Sequence, residues 1–266
     1  MRYLHFVIVC CFLTVSAAGQ AASETQTLAP TGTLRAIFLG SNPVQGRVDP
    51  QTGVASGVVP DLVKELARKL GVPYKIAFAP AANAVIDALK NHTADIGFLA
   101  YDETRAREVD FGAPFMVMFN SYVVRADSPI QMTADIDRPG LTVAAVRGQT
   151  QELFVSSHLK NARMRVFETM PPQSELETLL INGAVDAFAI NRQRSLEAQA
   201  ASGSKLRALP DSFLEVEQSF VVAKGDRAKL ETIEKFVSEA RASGFIKSSI
   251  DRAKLTGVDV ASGTKK

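Results

Sequence analysis

The chain of 266 residues contains no tryptophan, three histidines and two cysteines. Both cysteines, Cys10 and Cys11, lie in an apolar N-terminal stretch, so the remaining chain has no thiolate for a metal and no disulfide. One histidine, His5, is also near the N-terminus, and the other two, His92 and His158, are too far apart in the sequence to form an H-x-x-x-H pair. We therefore predict no metal and no cofactor. The dinucleotide, phosphate-loop and nucleophile-elbow patterns are also missing, and we predict no catalytic residues and no enzymatic activity.

The chain also lacks a large excess of positive or negative charge. The formal net charge is +2, and 22% of the residues are charged while 46% are hydrophobic. No basic run extends beyond a few residues, which argues against nucleic acid as a partner. The composition is typical of a soluble globular protein with one large or two medium domains.

The first 22 residues have the layout of a secretory signal peptide. Arg2 precedes an apolar core, Phe6 to Val15, and small residues follow from Ser16 to Ala22. The apolar core is shorter than the roughly 20 residues that span a bilayer, which argues against a membrane anchor. We expect export, with cleavage after Ala18, Ala21 or Ala22.

Strand-like and helix-like segments alternate twice along the rest of the chain. The first series runs from the strand Thr33–Gly40 to the strand Ile96–Tyr101, and the second from Leu141–Gly148 to Ala184–Asn191. Such alternation is typical of parallel sheets built from βαβ units. Because Asp95 and Asp186 hold equivalent positions in the two series, we predict two similar lobes, with a ligand at the carboxyl ends of the strands.

A charged turn, residues 102 to 110, separates two apolar runs and places Arg105 near the end of a strand. In the second series, Gly148 permits a tight turn, and the N–H groups of Gln149 and Thr150 open a helix. Either Thr150 merely caps its helix, or the helix start and Arg105 hold one carboxylate between the two lobes. The pairing with Arg105 favours the second interpretation.

The run R-A-x-x-V-D-F from Arg105 and the strand–Gly–x–Thr turn at Gly148 resemble family 3 bacterial extracellular solute-binding proteins. These are periplasmic receptors of amino-acid-type ABC transporters, and the resemblance covers about residues 32–255. It implies a two-lobed α/β fold, each lobe a mainly parallel sheet flanked by helices, with two interlobe crossings. It also implies a signal peptide (1–22), a first lobe (27–118 with 224–266) and a second lobe (119–223).

The resemblance further implies that Arg105 pairs with the ligand carboxylate and that Thr150 and Gln149 are donors on the opposite lobe. Asn191 stands where the family usually has an acid for the ligand ammonium, which weakens recognition of an amino group. Asn42 stands where the family usually has an aromatic residue that stacks on the ligand. Phe98 and Ala100 stand where the family often has small polar residues before the charged turn. The predicted ligand-binding residues are Arg105, Thr150, Gln149, Asn191, Asn42, Phe98 and Ala100.

These observations predict a periplasmic, monomeric receptor that delivers a small carboxylate or amino-acid-like ligand to an inner-membrane ABC permease. Two alternatives remain open at this point. One is a periplasmic enzyme similar to cyclohexadienyl dehydratases, on the same scaffold, with Asp102 or Glu103 as the candidate acid. The other is an accessory or sensory binding protein that recruits a different partner.

Overall fold

The computed structural model describes residues 24–263, and the predicted signal peptide lies outside them. The elements of the first half are β1 (Leu34–Leu39), β2 (Arg47–Val48), β3 (Ala55–Ser56), α1 (Val58–Leu70), β4 (Tyr74–Ala79), α2 (Ala82–Lys90), β5 (Ile96–Ala100), α3 (Glu103–Ala106) and β6 (Val109–Arg125). Those of the second half are β7 (Thr142–Val146), α4 (Thr150–His158), β8 (Arg163–Phe167), α5 (Gln173–Ile181), β9 (Ala187–Asn191), α6 (Arg192–Ala201), β10 (Leu206–Ala208), β11 (Leu214–Ala223), α7 (Arg227–Ala242), α8 (Phe245–Arg252) and β12 (Val258–Val260). No helix within this described part is long and apolar enough to cross a membrane.

Two parallel groups of strands confirm the predicted α/β architecture. In the first group β1 pairs in parallel with β4 and β5, and in the second group β7 pairs in parallel with β8 and β9. Two long antiparallel strands connect the groups, because β11 pairs with β5 and β6 while β6 also pairs with β9. Since β6 runs without a break from 109 to 125, the predicted lobe boundary at 118/119 lies inside one strand and stays a prediction.

Helix α1 shows how the sequence sets an element and its buried face. Pro60 lies in the first turn, where its missing N–H costs nothing, and Gly71 ends the helix with a φ of 67°. Leu62, Val63 and Leu66 are buried against the first strand group, as their helical spacing predicts.

The two equivalent aspartates tie neighbouring strands together in the same way in both groups. The Asp95 N–H donates to the Arg35 carbonyl at 2.8 Å, and the Asp95 carboxylate accepts from the Arg35 N–H at 2.9 Å. The Asp186 N–H donates to the Thr142 carbonyl at 2.8 Å, and its carboxylate accepts from the Thr142 N–H at 2.7 Å. Asp95 and Asp186, which hold equivalent positions in the sequence, therefore also make equivalent hydrogen bonds.

The first pair carries an additional contact. The Arg35 guanidinium donates to both oxygens of Asp95, at 3.0 and 2.7 Å, and only 1% of the Asp95 side chain is exposed. The hydrogen bond to Asp95 raises the pKa of Arg35. We expect Asp95→Ala to lower the free energy of unfolding by about 3 kcal/mol, because a buried charged acceptor of several bonds is lost.

Asp186→Ala is the matched control, since it removes the same strand contact without a guanidinium. We expect it to cost about 1.5 kcal/mol. Urea unfolding of the two variants measures both values. Equal losses would show that the Arg35 side chain adds no stability.

Candidate ligand-binding cleft

The carboxyl ends of four strands from both groups meet at one cleft. The ends of β1, β7, β8 and β9, or the segments after them, all reach it, which is where the sequence predicts the ligand. The space between the lining residues, counted together with its opening to solvent, is about 420 Å³. It is lined by Ser41, Asn42, Val146, Gln149, Gln151, Met170, Ala189, Ile190, Asn191 and Arg194.

Arg105 lies beside this cleft, on the short helix α3 that follows β5. The Asp102 carboxylate caps α3 by accepting from the Thr104 and Arg105 N–H groups at 2.9 and 3.1 Å. The Arg105 guanidinium donates to the Ala100 carbonyl at 3.0 Å and to the Gly148 carbonyl, next to the lining residue Gln149, at 2.7 Å. The charged turn thus brings Arg105, from the first strand group, into contact with the second.

The charge of Arg105 is buried and has no carboxylate paired with it among the described residues. Only 7% of the residue is exposed, and burial lowers its pKa while Asp102 acts in the opposite direction. Two carbonyl acceptors leave other N–H donors of the guanidinium uncommitted. A buried cation is costly unless it is paired, so this position favours an anionic group.

The turn before α4 has the predicted geometry, with one difference in its capping. Gly148 has a φ of 69°, and α4 begins at Thr150 with Gln149 in the N-cap position. The alternative that Thr150 caps its helix is wrong, because Thr150 is the first helical residue and no side chain caps α4. Glu152 already accepts from the Gly148 N–H at 3.2 Å, so one acid occupies part of this turn.

The structure brings Asn42 and Asn191 together across the cleft. The Asn191 Nδ2 donates to the Asn42 Oδ1 at 3.4 Å, and the two residues are only 7% and 8% exposed, respectively. Asn191 ends β9 and caps α6, because its Oδ1 accepts from the Arg194 N–H at 2.8 Å. It therefore has both a structural contact and a place in the cleft lining.

Two of the predicted ligand-binding residues, Ala100 and Phe98, have side chains outside the cleft lining. Ala100 lies beside Arg105 and holds it through the main-chain carbonyl. Phe98 points into the core, where its ring lies 6.0 Å from that of Phe115 and 4.4 Å from that of Phe220. Its side chain is fully buried there and is not part of the cleft lining.

Arg194 is the most informative lining residue that the sequence did not indicate. Its guanidinium donates to the Ser41 carbonyl across the cleft at 3.2 Å. Burial lowers its pKa, Glu197 raises it, and Arg47 lowers it further. The segment from Asn191 to Arg194 follows the second lobe's last parallel strand, which is the signal that could have placed it at the cleft.

Carboxylates are missing from the lining of this cleft. Asp102, a candidate acid from the sequence, is occupied as the cap of α3, and Glu103 is exposed. Within residues 24–263 no group of three or more His, Cys, Asp or Glu side chains could hold a metal ion. The chemistry of the cleft is therefore that of amides and guanidinium groups.

Residues 34–253 match the family model described as bacterial extracellular solute-binding proteins, family 3. The chain belongs to this family. A glutamine-binding protein of Geobacillus stearothermophilus is 28% identical over 205 residues, covering 72% of this chain and 76% of that protein. The similarity to this relative extends through most of both proteins.

Solved structures confirm the two-lobed fold of this family 3 solute-binding protein. A mutant of ArgBP from T. maritima is 25% identical with a TM-score of 0.71, covering 87% of this chain and 99% of that one. An ancestral amino acid-binding protein, described as a precursor of cyclohexadienyl dehydratase, is 23% identical with a TM-score of 0.72, covering 86% and 98%. Each lobe of this solute-binding protein thus contains one of the two parallel strand groups.

Proposed function

We propose that this solute-binding protein captures a small carboxylate or amino-acid-like ligand between its lobes, in the periplasm, and delivers it to an ABC permease of the inner membrane. The observation that carries the proposal is Arg105, a buried guanidinium with uncommitted donors at the junction of the lobes. A carboxylate is the group that such a planar donor set binds best. The binding function needs no catalytic acid, which agrees with a cleft lined by amides.

Contacts between the lobes support closure around the ligand. The Arg105 bond to the Gly148 carbonyl and the Asn191 bond to Asn42 both cross the cleft. At the rim, Arg47 forms an ion pair with Glu197. Because the donors for one ligand are divided between the lobes, binding favours the arrangement in which they approach each other.

The function is tested by thermal unfolding of the mature protein with a panel of amino acids and organic acids. A ligand at 100 times its Kd stabilises the native state by about 2.7 kcal/mol. For a protein of this size we expect the melting temperature to rise by about 5–10 °C. Small-angle scattering should then report a smaller radius of gyration with the same ligand.

The matched control for each ligand is its amide, which keeps the size and removes the carboxylate charge. Stabilisation by the acid and not by the fully amidated compound supports the proposal. The proposal would be overturned if acid and amide stabilise the protein equally, or if no carboxylate in the panel stabilises it. Release of water and carbon dioxide from prephenate on incubation would instead favour an enzyme.

A further inference from the structure

A second guanidinium reaches the cleft from the lobe opposite Arg105. Arg194 lines the cavity on α6, while Arg105 borders it from α3 through the Gly148 carbonyl. The two arginines belong to different lobes and meet the cavity at different strand ends. Arg105 lies near the end of β7, and Arg194 lies next to the end of β9.

Arg194 resembles Arg105 in having a charge without an ion-pair partner among residues 24–263. Its side chain makes one bond, to the neutral Ser41 carbonyl at 3.2 Å. The nearest acid on the same helix, Glu197, forms its ion pair with Arg47 and also accepts from Gln193 at 2.9 Å. Glu197 is therefore shared among several donors and offsets the charge of Arg194 only in part.

Burial supports this interpretation of the cavity. Partial removal from water lowers the pKa of Arg194 and the nearby Arg47 adds repulsion, while Glu197 acts in the opposite direction. The remaining polar side chains of the lining are neutral, and they include Asn42, Gln149 and Gln151. Amides can orient a ligand but cannot neutralise either guanidinium.

We propose that the ligand carries a second anionic group, bound by Arg194 of the second lobe while Arg105 of the first lobe binds the first carboxylate. This inference rests on the proposed function and names its substrate class, the small dicarboxylates. A ligand with one carboxylate leaves the cation of Arg194 without a partner when the lobes close, which disfavours its binding. Specificity for the dianion then comes from Arg194 and affinity for the first carboxylate from Arg105.

The test compares each dicarboxylate with its monoamide by calorimetric titration. The pairs are succinate with succinamate, glutarate with glutaramate, and L-glutamate with L-glutamine. The first compound of each pair is called the dianion for its two carboxylates, and L-glutamate carries an ammonium in addition. For the wild type we expect the dianion to bind at least about tenfold more tightly than its monoamide in one pair or more. Arg194→Gln should remove this preference, chiefly by weakening the binding of the dianion by about tenfold or more.

Two further variants make the test specific to Arg194. Arg192→Gln is the matched control, because Arg192 lies on the same helix and donates to the Pro210 carbonyl at 2.8 Å, away from the cleft lining. It should keep the preference for the dianion. Arg194→Lys keeps the charge, and we expect it to keep part of the preference, since a point charge lacks the planar donor pair.

The outcomes separate this inference from the proposed function. Equal affinities for dianion and monoamide in the wild type, or an unchanged preference in Arg194→Gln, would overturn the second anionic site while carboxylate binding stands. Binding of monocarboxylates alone would do the same. Absence of binding by every carboxylate would remove the proposed function and this inference with it.

Discussion

Arg105→Ala should weaken ligand binding by about 30-fold to several thousand-fold and leave the fold intact. Truncation of one partner of a buried charge pair costs roughly 2–5 kcal/mol, and each decade of affinity is ~1.4 kcal/mol. Arg105 is 7% exposed, so solvent screens the pair with a ligand carboxylate only weakly. The fold should survive because the cap of α3 depends on the Asp102 carboxylate and the main chain.

Arg107→Ala is the control for the loss of a positive charge in the same turn. Arg107 is exposed and lies two residues further along the chain, so its truncation should leave the affinity unchanged. Arg105→Lys should rescue binding only in part, because a lysine lacks the bidentate geometry. Calorimetric titration measures all three variants. Wild-type affinity in Arg105→Ala would show that the ligand carboxylate binds elsewhere.

The fold could be predicted where local signals and packing agree. The apolar runs that became β1, β4 and β5 are short and flanked by turns, and amphipathic helices separate them. Helix α6 was not predicted, because it buries Gln193, Ser195 and Ala198 and has no apolar stripe. Its position is set by tertiary contacts, such as the 2.9 Å bond from the Thr256 N–H to Gln193.

The position of a residue at the end of a strand was a better guide to the candidate cleft than the direction in which a side chain within a strand was expected to point. Arg105 follows a strand of one lobe and Asn191 ends a strand of the other, and the parallel topology brings both strand ends towards the cleft. Phe98 lies inside β5, whose residues are all buried, so no alternation of apolar and polar residues indicates which face meets the cleft. Arg194 belongs to α6, which was not predicted, so its closeness to the end of β9 was the one signal in the sequence that pointed to the cleft.

Asn191→Asp should change the ligand preference from compounds without an amino group to α-amino acids. Asn191 lies in the cleft beside Asn42, and Arg194 adds positive charge at the same end. A neutral amide can hydrogen-bond to an ammonium but cannot neutralise it where solvent is poor. An aspartate at position 191 supplies the missing negative charge, and it remains a good N-cap for α6, so the fold should tolerate the change.

The expected effect is large because the substitution acts on both ligand classes at once. A ligand with an ammonium gains a charge partner, whereas a ligand without one leaves the new carboxylate buried and less well paired. We expect the ratio of affinities for L-glutamate and its deaminated analogue glutarate to change by about 100-fold. Asn83→Asp is the matched control, because Asn83 is exposed near the start of α2, outside the cleft lining, and its side chain accepts from the adjacent Ala84 N–H.

Calorimetric titration of the wild type, Asn191→Asp and Asn83→Asp with both compounds measures this ratio. A ratio that stays the same in all three proteins would show that position 191 does not face the amino group of the ligand. If the ratio changes only in Asn191→Asp, the neutral amide is what disfavours an ammonium in the native cleft. The charge that the cleft lacks at Asn191, together with the charges it has at Arg105 and Arg194, then accounts for a preference for anions over zwitterions.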